Sequence, residues 1–229
     1  MTRGSIFIAN WKMNLPQDSL EIYLKNISSS KEKNLEIIVG VPYPYLFQCK
    51  KIVSELGSHV KIAAQNVCYK EAGAYTGEVS VKMLKDLDIS HIIIGHSERR
   101  NIFNESNQDI SEKVKLAHRN DFNIILCIGE TIEERNEEKT FEILQLQLEI
   151  LKNIADLTRV IIAYEPVWAI GTGISASPSQ IQEAHSFIRD WISINFDTDT
   201  ADSTYVIYGG SIKPENINDI ISERDVDGG

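Results

Sequence analysis

Short runs of apolar, β-branched residues recur along the chain without the alternating polar positions of a half-exposed strand. Such runs are typical of strands in a parallel sheet that is covered on both faces. The seven runs that we predict as strands are Ser5–Ala9, Glu36–Val41, Val60–Ala64, His91–Ile94, Asn123–Ile128, Arg159–Tyr164 and Thr204–Tyr208.

Helical patterns separate these runs, because apolar residues recur there at the spacing of one helix face. In Gln17–Ser29, Leu20, Leu24 and Ile27 follow this spacing. The other predicted helices are Tyr45–Leu56, Ser111–Arg119, Phe141–Ile154 and Ser179–Ile194. Pro178 directly precedes the last of them, and proline is favoured in the first turn of a helix.

The alternation of strands and helices through the whole chain predicts an α/β protein with a parallel sheet. The predicted strands end roughly 20 to 45 residues apart, and an eighth unit opens at Asp225–Gly229, so we predict a (β/α)8 barrel that forms one domain over residues 1–229. A doubly wound open sheet is the alternative fold. That fold usually carries a glycine-rich loop after its first strand, whereas Asn10–Asn14 contains no glycine.

Composition and charge narrow the class of protein. The chain has 229 residues, of which 42% are hydrophobic, and no apolar run approaches the ~20 residues of a membrane-spanning helix. The net charge of −10 disfavours a nucleic-acid or anionic-membrane surface, although a lysine and a few backbone N–H groups can still bind a phosphate. The apolar stretch at the start is too short for a signal peptide, so we expect a cytoplasmic protein.

The cysteines give no sign of a disulfide framework or of a zinc site. There are three of them, Cys49, Cys68 and Cys127, and none belongs to a Cys-x-x-Cys motif. We therefore expect three reduced thiols and no metal.

Polar residues follow the ends of five predicted strands. They are Asn10 with Lys12, Gln65 with Asn66, Gly95–Arg100, Glu165, and Gly209–Ser211. Each of them alone would fit a structural role, but the active site of an α/β barrel lies at this end of its strands. A carboxylate, an imidazole, a cation and an anion-binding turn are together the groups needed to remove a proton beside the carbonyl of a phosphorylated substrate.

Seven segments resemble, in the same order, the motifs of the triosephosphate isomerase family. They are Ala9–Asn14, Ala64–Asn66, Gly73–Glu78, Ile94–Arg100, Cys127–Glu130, Ala163–Gly173 and Tyr208–Ser211. They span residues 9 to 211, so the resemblance covers nearly the whole chain. It implies a TIM barrel and an isomerase of glycolysis and gluconeogenesis.

The resemblance also implies a role for individual residues. Glu165 would be the catalytic base, His96 the electrophile and Lys12 the cation at the substrate. The further implied residues are Asn10, Gly171 and Ser211 in substrate binding, Ser97 and Glu98 in support, Thr76 in contact with the second subunit of a homodimer, and a lid formed by Pro166, Val167, Trp168, Ala169, Ile170, Gly171, Thr172 and Gly173. In this family the histidine acts as a neutral ring beside a helix start, and we predict such a start around Ser97.

The implied reaction interconverts dihydroxyacetone phosphate and D-glyceraldehyde 3-phosphate through a cis-enediolate. It needs no metal and no organic cofactor. A non-catalytic phosphosugar-binding barrel is the alternative hypothesis. Another phosphosugar isomerase or an aldolase on the same fold is a third, because fold alone does not determine function.

The resemblance ends before the carboxyl end of the family's barrel. There the family has an eighth strand, a glycine-rich phosphate loop and a last helix, and we interpret Gly228 and Gly229 as preceding that strand. We therefore expect the eighth strand and last helix to be missing or cut short, which would leave two unpaired strand edges. We favour an incomplete sequence over a shortened, impaired protein.

Overall fold

The computed structural model describes residues 4–14, 20–29, 34–170 and 176–229. Within these residues, seven parallel strands form one sheet in the order of the chain. The strands are β1 (Ser5–Asn10), β2 (Leu35–Val41), β3 (Lys61–Ala64), β4 (His91–Ile94), β5 (Asn123–Ile128), β6 (Val160–Tyr164) and β7 (Tyr205–Tyr208). All seven predicted strands are confirmed, each to within one residue at either end. The fold is that of a TIM barrel.

Helices alternate with the strands. They are α1 (Leu20–Ser28), α2 (Leu46–Glu55), α3 (Val81–Asp86), α4 (Ser97–Asn101), α5 (Asn107–Arg119), α6 (Ile132–Asn136), α7 (Thr140–Leu148), α8 (Pro178–Asn195), α9 (Thr198–Ser203) and α10 (Ile217–Ile221). The helix predicted from Ser111 begins four residues earlier, because Ser106 caps it with a reciprocal bond to Asp109. The helix predicted over 141–154 ends at Leu148 and continues as a 3₁₀ turn.

Strands β2 to β7 contribute buried residues on both faces, as their apolar runs predicted, whereas β1 is mostly half-buried. Along β5, Ile125 and Cys127 belong to a cluster inside the barrel. Ile124, Leu126 and Ile128 belong to the larger core between the sheet and the helices. Successive side chains of a strand point to opposite faces, so each of the strands β2 to β7 contributes to both layers.

Residues 227–229 lie between β7 and β1. On one side Asp227 N–H donates to Val206 O at 2.9 Å, and on the other Ile8 N–H donates to Gly229 O at 2.8 Å. Gly228 forms an isolated parallel bridge with Ile6. No full eighth strand is found among the described residues. The eighth strand is cut short, as the sequence predicted. The two neighbouring strand edges are not left unpaired as we expected, because the backbone groups of residues 227–229 pair with both of them.

Gly228 must be a glycine at this position. Its φ is +148°, and a Cβ there would lie 1.8 Å from Ile6 O. The sequence pattern gave no sign of this pairing, because three residues are too few for a hydrophobic period.

The three cysteines are all free and buried. Burial raises the pKa of the Cys49 thiol to about 12, so this group stays protonated near neutral pH. Among the residues that the structure describes, no helix has the length and apolar character needed to span a membrane.

Candidate active site

The ends of β1, β4, β6 and β7 surround a cavity of about 180 Å³. Asn10, Lys12, His96 and Glu165 all line it, so residues from three distant parts of the chain meet there. A larger groove of about 540 Å³ adjoins it and shares the first three of these residues. The cavity's inner wall is apolar and includes Cys127, and burial raises the pKa of this thiol well above its usual value.

Glu165 follows β6 directly and is only 4% exposed. Its backbone N–H donates to Ile128 O at 2.7 Å, which continues the pairing of β6 with β5. Oε1 of its carboxylate lies 3.2 Å from His96 Nε2, and Oε2 accepts a bond of 2.9 Å from the Ser97 N–H. A carboxylate in this position is held next to a hydrogen-bond donor at a mostly apolar cavity.

His96 is the residue that caps α4, so the predicted helix start at Ser97 is confirmed. Its Nδ1 accepts a hydrogen bond of 3.2 Å from the Glu98 N–H. A ring nitrogen that accepts carries no proton, so this bond assigns the proton of the neutral ring to Nε2. The Nε2–H group therefore points at Glu165 and into the cavity.

Lys12 adopts a left-handed backbone conformation, with a φ of +51°. A non-glycine residue needs support in this region. The Asn10 side chain accepts from the Lys12 N–H at 2.9 Å, and Gln65 Nε2 donates to Lys12 O at 2.9 Å. Lys12 Nζ lies 2.6 Å from Glu98 Oε1, so Glu98 contacts both the lysine and, through its N–H, His96.

Gln65 is a supporting residue that our site prediction did not include. Besides Lys12 O, its Nε2 lies within 3.2 Å of Asn10 Oδ1 and 3.0 Å of Gly40 O. One amide thus ties β3 to β1, to β2 and to the turn that carries the lysine. In the sequence it appeared only as a polar residue after a predicted strand and as part of the Ala64–Asn66 motif.

The first part of the predicted lid is anchored to Glu130. Residues 167–169 form a 3₁₀ turn, and Trp168 Nε1 donates to Glu130 Oε1 at 2.9 Å. Glu130 is fully buried and also accepts from Tyr164 Oη and Arg135. Burial, and then the charge of Glu130, raises the pKa of Tyr164, so its hydroxyl stays a donor. Sequence reasoning included Glu130 only as part of a motif.

Ser211 follows β7 and lies beside the predicted lid segment. Its hydroxyl is 3.4 Å from Ala169 O, and its carbonyl accepts from Asn216 at 3.1 Å. The predicted residues Gly171, Thr172 and Gly173 lie outside the described residues. Pro166, Val167, Trp168, Ala169 and Ile170 are described and lead away from the end of β6.

Thr76 does not line the cavity of its own chain. It is exposed in the long segment between β3 and α3, where Tyr75 is exposed as well. The segment's base is closed by a bond of 2.8 Å from Cys68 N–H to Val79 O. The segment therefore leaves the barrel and returns to it at neighbouring points.

Comparison with known proteins gives one consistent result. The sequence model of the family described as triosephosphate isomerase matches residues 5–229. The triosephosphate isomerase of Fusobacterium nucleatum is 45% identical over 99% of this chain and 92% of its own length. That of Taenia solium is 43% identical over 100% of this chain and 92% of its own. The cytosolic triosephosphate isomerase of Oryza sativa is 40% identical over 96% and 87%.

Proposed function

The chain belongs to the triosephosphate isomerase family, and on this premise we propose that it interconverts dihydroxyacetone phosphate and D-glyceraldehyde 3-phosphate by moving a proton between Glu165 and substrate carbon. The observation that carries the mechanism is the distance of 3.2 Å between Glu165 Oε1 and His96 Nε2 in the shared cavity. A base and a donor at this spacing can act on two neighbouring atoms of one small substrate. The family match favours this function over the non-catalytic alternative.

Glu165 is the general base. A C–H bond beside a carbonyl breaks, its proton forms an O–H bond with the carboxylate, and its electron pair forms the C=C bond of the enediolate. In the structure, His96 Nε2 and the Ser97 N–H occupy both carboxylate oxygens. The substrate therefore has to displace at least one of these contacts before the proton can move.

His96 polarises the substrate carbonyl. Negative charge builds on the carbonyl oxygen as the proton leaves, and a fixed donor aimed at that oxygen stabilises it. The Glu98 N–H holds Nδ1 as an acceptor, so Nε2 presents its hydrogen without any net charge on the ring. When the enediolate forms, the same donor can serve the oxygens of both carbons, and the proton returns to the adjacent carbon.

Lys12 supplies the positive charge at the substrate. Its Nζ is paired with Glu98 in the structure, and an anionic substrate offers it a second partner. The chain's net charge of −10 makes this local cation more important for binding a phosphorylated triose. We assign Ser211 and Gly171 to the phosphate group through backbone N–H donors, and Asn10 to the shape of the pocket.

The lid of residues 166–173 serves to exclude water. An enediolate that is open to water can expel its phosphate instead of being protonated, so closure protects the intermediate. The contact of Trp168 with the buried Glu130 supports a fixed anchor for the lid's first part, on which the rest can close.

A homodimer is the proposed assembly, with Thr76 in contact with the second copy. The groove beside the catalytic cavity is rimmed by Met13, which is 94% exposed, and by the exposed Phe103. The segment around Thr76 projects from the same chain with its exposed Tyr75. In the homodimer, the segment around Thr76 of each copy would lie in the groove of the other copy, so that both surfaces become buried. We also propose a cytoplasmic location and a role in glycolysis and gluconeogenesis.

The experiment that tests the function is isomerisation in deuterium oxide followed by proton NMR. With dihydroxyacetone phosphate as substrate, a base that exchanges its proton with solvent places deuterium at C2 of the product. We expect turnover with deuterium at this carbon. Binding of the substrate without turnover would instead favour the non-catalytic phosphosugar-binding alternative.

A further inference from the structure

The side-chain amide of Gln147 pairs with both backbone polar groups of Gly129. The Gly129 N–H donates to Gln147 Oε1 at 2.7 Å, and Gln147 Nε2 donates to Gly129 O at 3.1 Å. Gln147 lies in α7, is 8% exposed, and lines neither the catalytic cavity nor the adjoining groove. It therefore contacts the backbone behind the site and not the reacting atoms.

Gln147 takes the place of the backbone partners that a neighbouring strand would give to Gly129, because β4 ends before this position. The pairing of β4 with β5 ends at Ile94 and Leu126, and the chain after β4 turns away into α4. On its other side β5 goes on pairing beyond its end: Ile128 O accepts from Glu165 N–H, and Glu130 O from Val167 N–H. The groups of Gly129 face the side where β4 has ended, and buried backbone groups need partners. Gln147 supplies both.

Gly129 also packs directly against the backbone of Glu165, the proposed base. A Cβ on Gly129 would lie 1.7 Å from Glu165 O and 2.6 Å from Glu165 C. Without a side chain between them, a shift of the Gly129 peptide group changes the position of Glu165 directly. The same three residues, 128–130, also hold the lid through Glu130 and Trp168.

We propose that Gln147 is a positioning residue for the isomerisation: its bidentate amide fixes the Gly129 peptide and, through it, the catalytic carboxylate of Glu165. The inference rests on the proposed function. A small displacement of a reacting group lowers the rate steeply, because proton transfer needs the base within hydrogen-bond reach. The amide thus acts on the chemical step without touching the substrate.

Two variants test the proposal. Gln147→Met keeps the length of the side chain and removes both hydrogen bonds, so we expect kcat to fall about 10- to 100-fold and KM to change less than about twofold. Gln147→Glu makes the pairing with Gly129 depend on pH. The ionised carboxylate accepts from Gly129 N–H but repels Gly129 O, whereas the protonated carboxyl can donate to that oxygen and restores both bonds.

The pH profile is the readout that a merely structural role would not give. The quantity to measure is the kcat of Gln147→Glu divided by the wild-type kcat at the same pH, with the folded fraction of each protein determined by circular dichroism. We expect this ratio to rise as the pH falls. The same ratio for Gln147→Met should stay constant. Gln145 is exposed on the same helix, so Gln145→Glu and Gln145→Met are the matched controls and should keep wild-type kcat.

The outcomes distinguish a failure of the positioning role from a failure of the proposed function. An active wild-type protein with a Gln147→Met kcat close to normal, or a Gln147→Glu ratio that does not change with pH, overturns the positioning role alone. An inactive wild-type protein overturns both. If Gln147→Met does not fold, the pH profile of Gln147→Glu decides the question.

Discussion

His96 Nε2 lies 3.2 Å from Glu165 Oε1 where β4 and β6 end. Because Nδ1 of the same ring accepts a hydrogen bond from Glu98 N–H, the ring proton sits on Nε2 and points at the carboxylate. In the absence of substrate, the proposed donor and the proposed base therefore satisfy each other. The substrate replaces this contact, and each group then acts on a different atom of the triose.

Removal of the Nε2 donor is expected to lower the rate without unfolding the chain. In His96→Asn, the shorter side chain can still accept from Glu98 N–H and cap α4, but it has no donor at the Nε2 position. We expect kcat to fall about 10²- to 10³-fold, measured in a coupled assay. His59→Asn, at an exposed site, should remain fully active. A His96→Asn kcat within threefold of wild type would show that this donor is not used.

A methyl group at Gly209 is expected to displace the base. Its Cβ would lie 2.6 Å from Glu165 Cγ and 3.2 Å from Tyr164 O. The side chain of Glu165 can turn away, so the barrel should fold while the carboxylate leaves its position. We expect Gly209→Ala to lose about 10²-fold in kcat with circular dichroism unchanged. Gly4→Ala, whose nearest neighbour would be Asn34 O at 3.1 Å, is the control at the far end of β1.

The sequence predicted most of this site because strand ends determine it. Runs of apolar residues located β4 and β6 to within one residue, and in a parallel barrel that suffices to bring His96 and Glu165 to one rim. The sequence placed Gln65 at a strand end but assigned it no role, and it did not indicate Gln147 at all, because each binds backbone groups that come close only in the fold. The pairing of residues 227–229 was not predicted for a related reason, since it depends on both sheet edges and on no local pattern.

Acid is expected to destabilise the protein through two buried histidines. Burial lowers the pKa of His91 and of His185 to about 4, whereas an unfolded histidine titrates near 6.5. Between these values the unfolded chain binds more protons, so the free energy of unfolding falls as the pH drops from about 6.5 towards 4. Each histidine should lower the free energy of unfolding by about 2 kcal/mol between pH 8 and pH 5.

Urea unfolding of His91→Gln at both pH values measures the contribution of this histidine. Between pH 8 and pH 5, the free energy of unfolding of the variant should fall by about 2 kcal/mol less than that of the wild type, because glutamine does not titrate. His59→Gln, at an exposed site, should lose as much as the wild type. An equal pH dependence in His91→Gln and wild type would contradict the buried, neutral state of this ring.

Self-association is expected to depend on the apolar groove beside the active site. Phe103 lines that groove and is exposed in the single chain, so Phe103→Asp would place a charge where the proposed second copy inserts its segment around Thr76. Sedimentation velocity should show a dimer for the wild type and a shift towards monomer for the variant. Ile194→Asp, on the exposed face of α8, should leave the dimer intact. A wild-type protein that is monomeric and fully active would rule out the proposed assembly.

The most direct test of the account is the kcat of Glu165→Gln beside that of the wild type, in the coupled assay with glyceraldehyde 3-phosphate and with circular dichroism on both proteins. Glutamine keeps the shape of the side chain and cannot take the substrate's proton. We predict an active wild type and a folded variant whose kcat is lower by about 10³-fold. A folded Glu165→Gln protein with kcat within tenfold of the wild type would contradict the central claim.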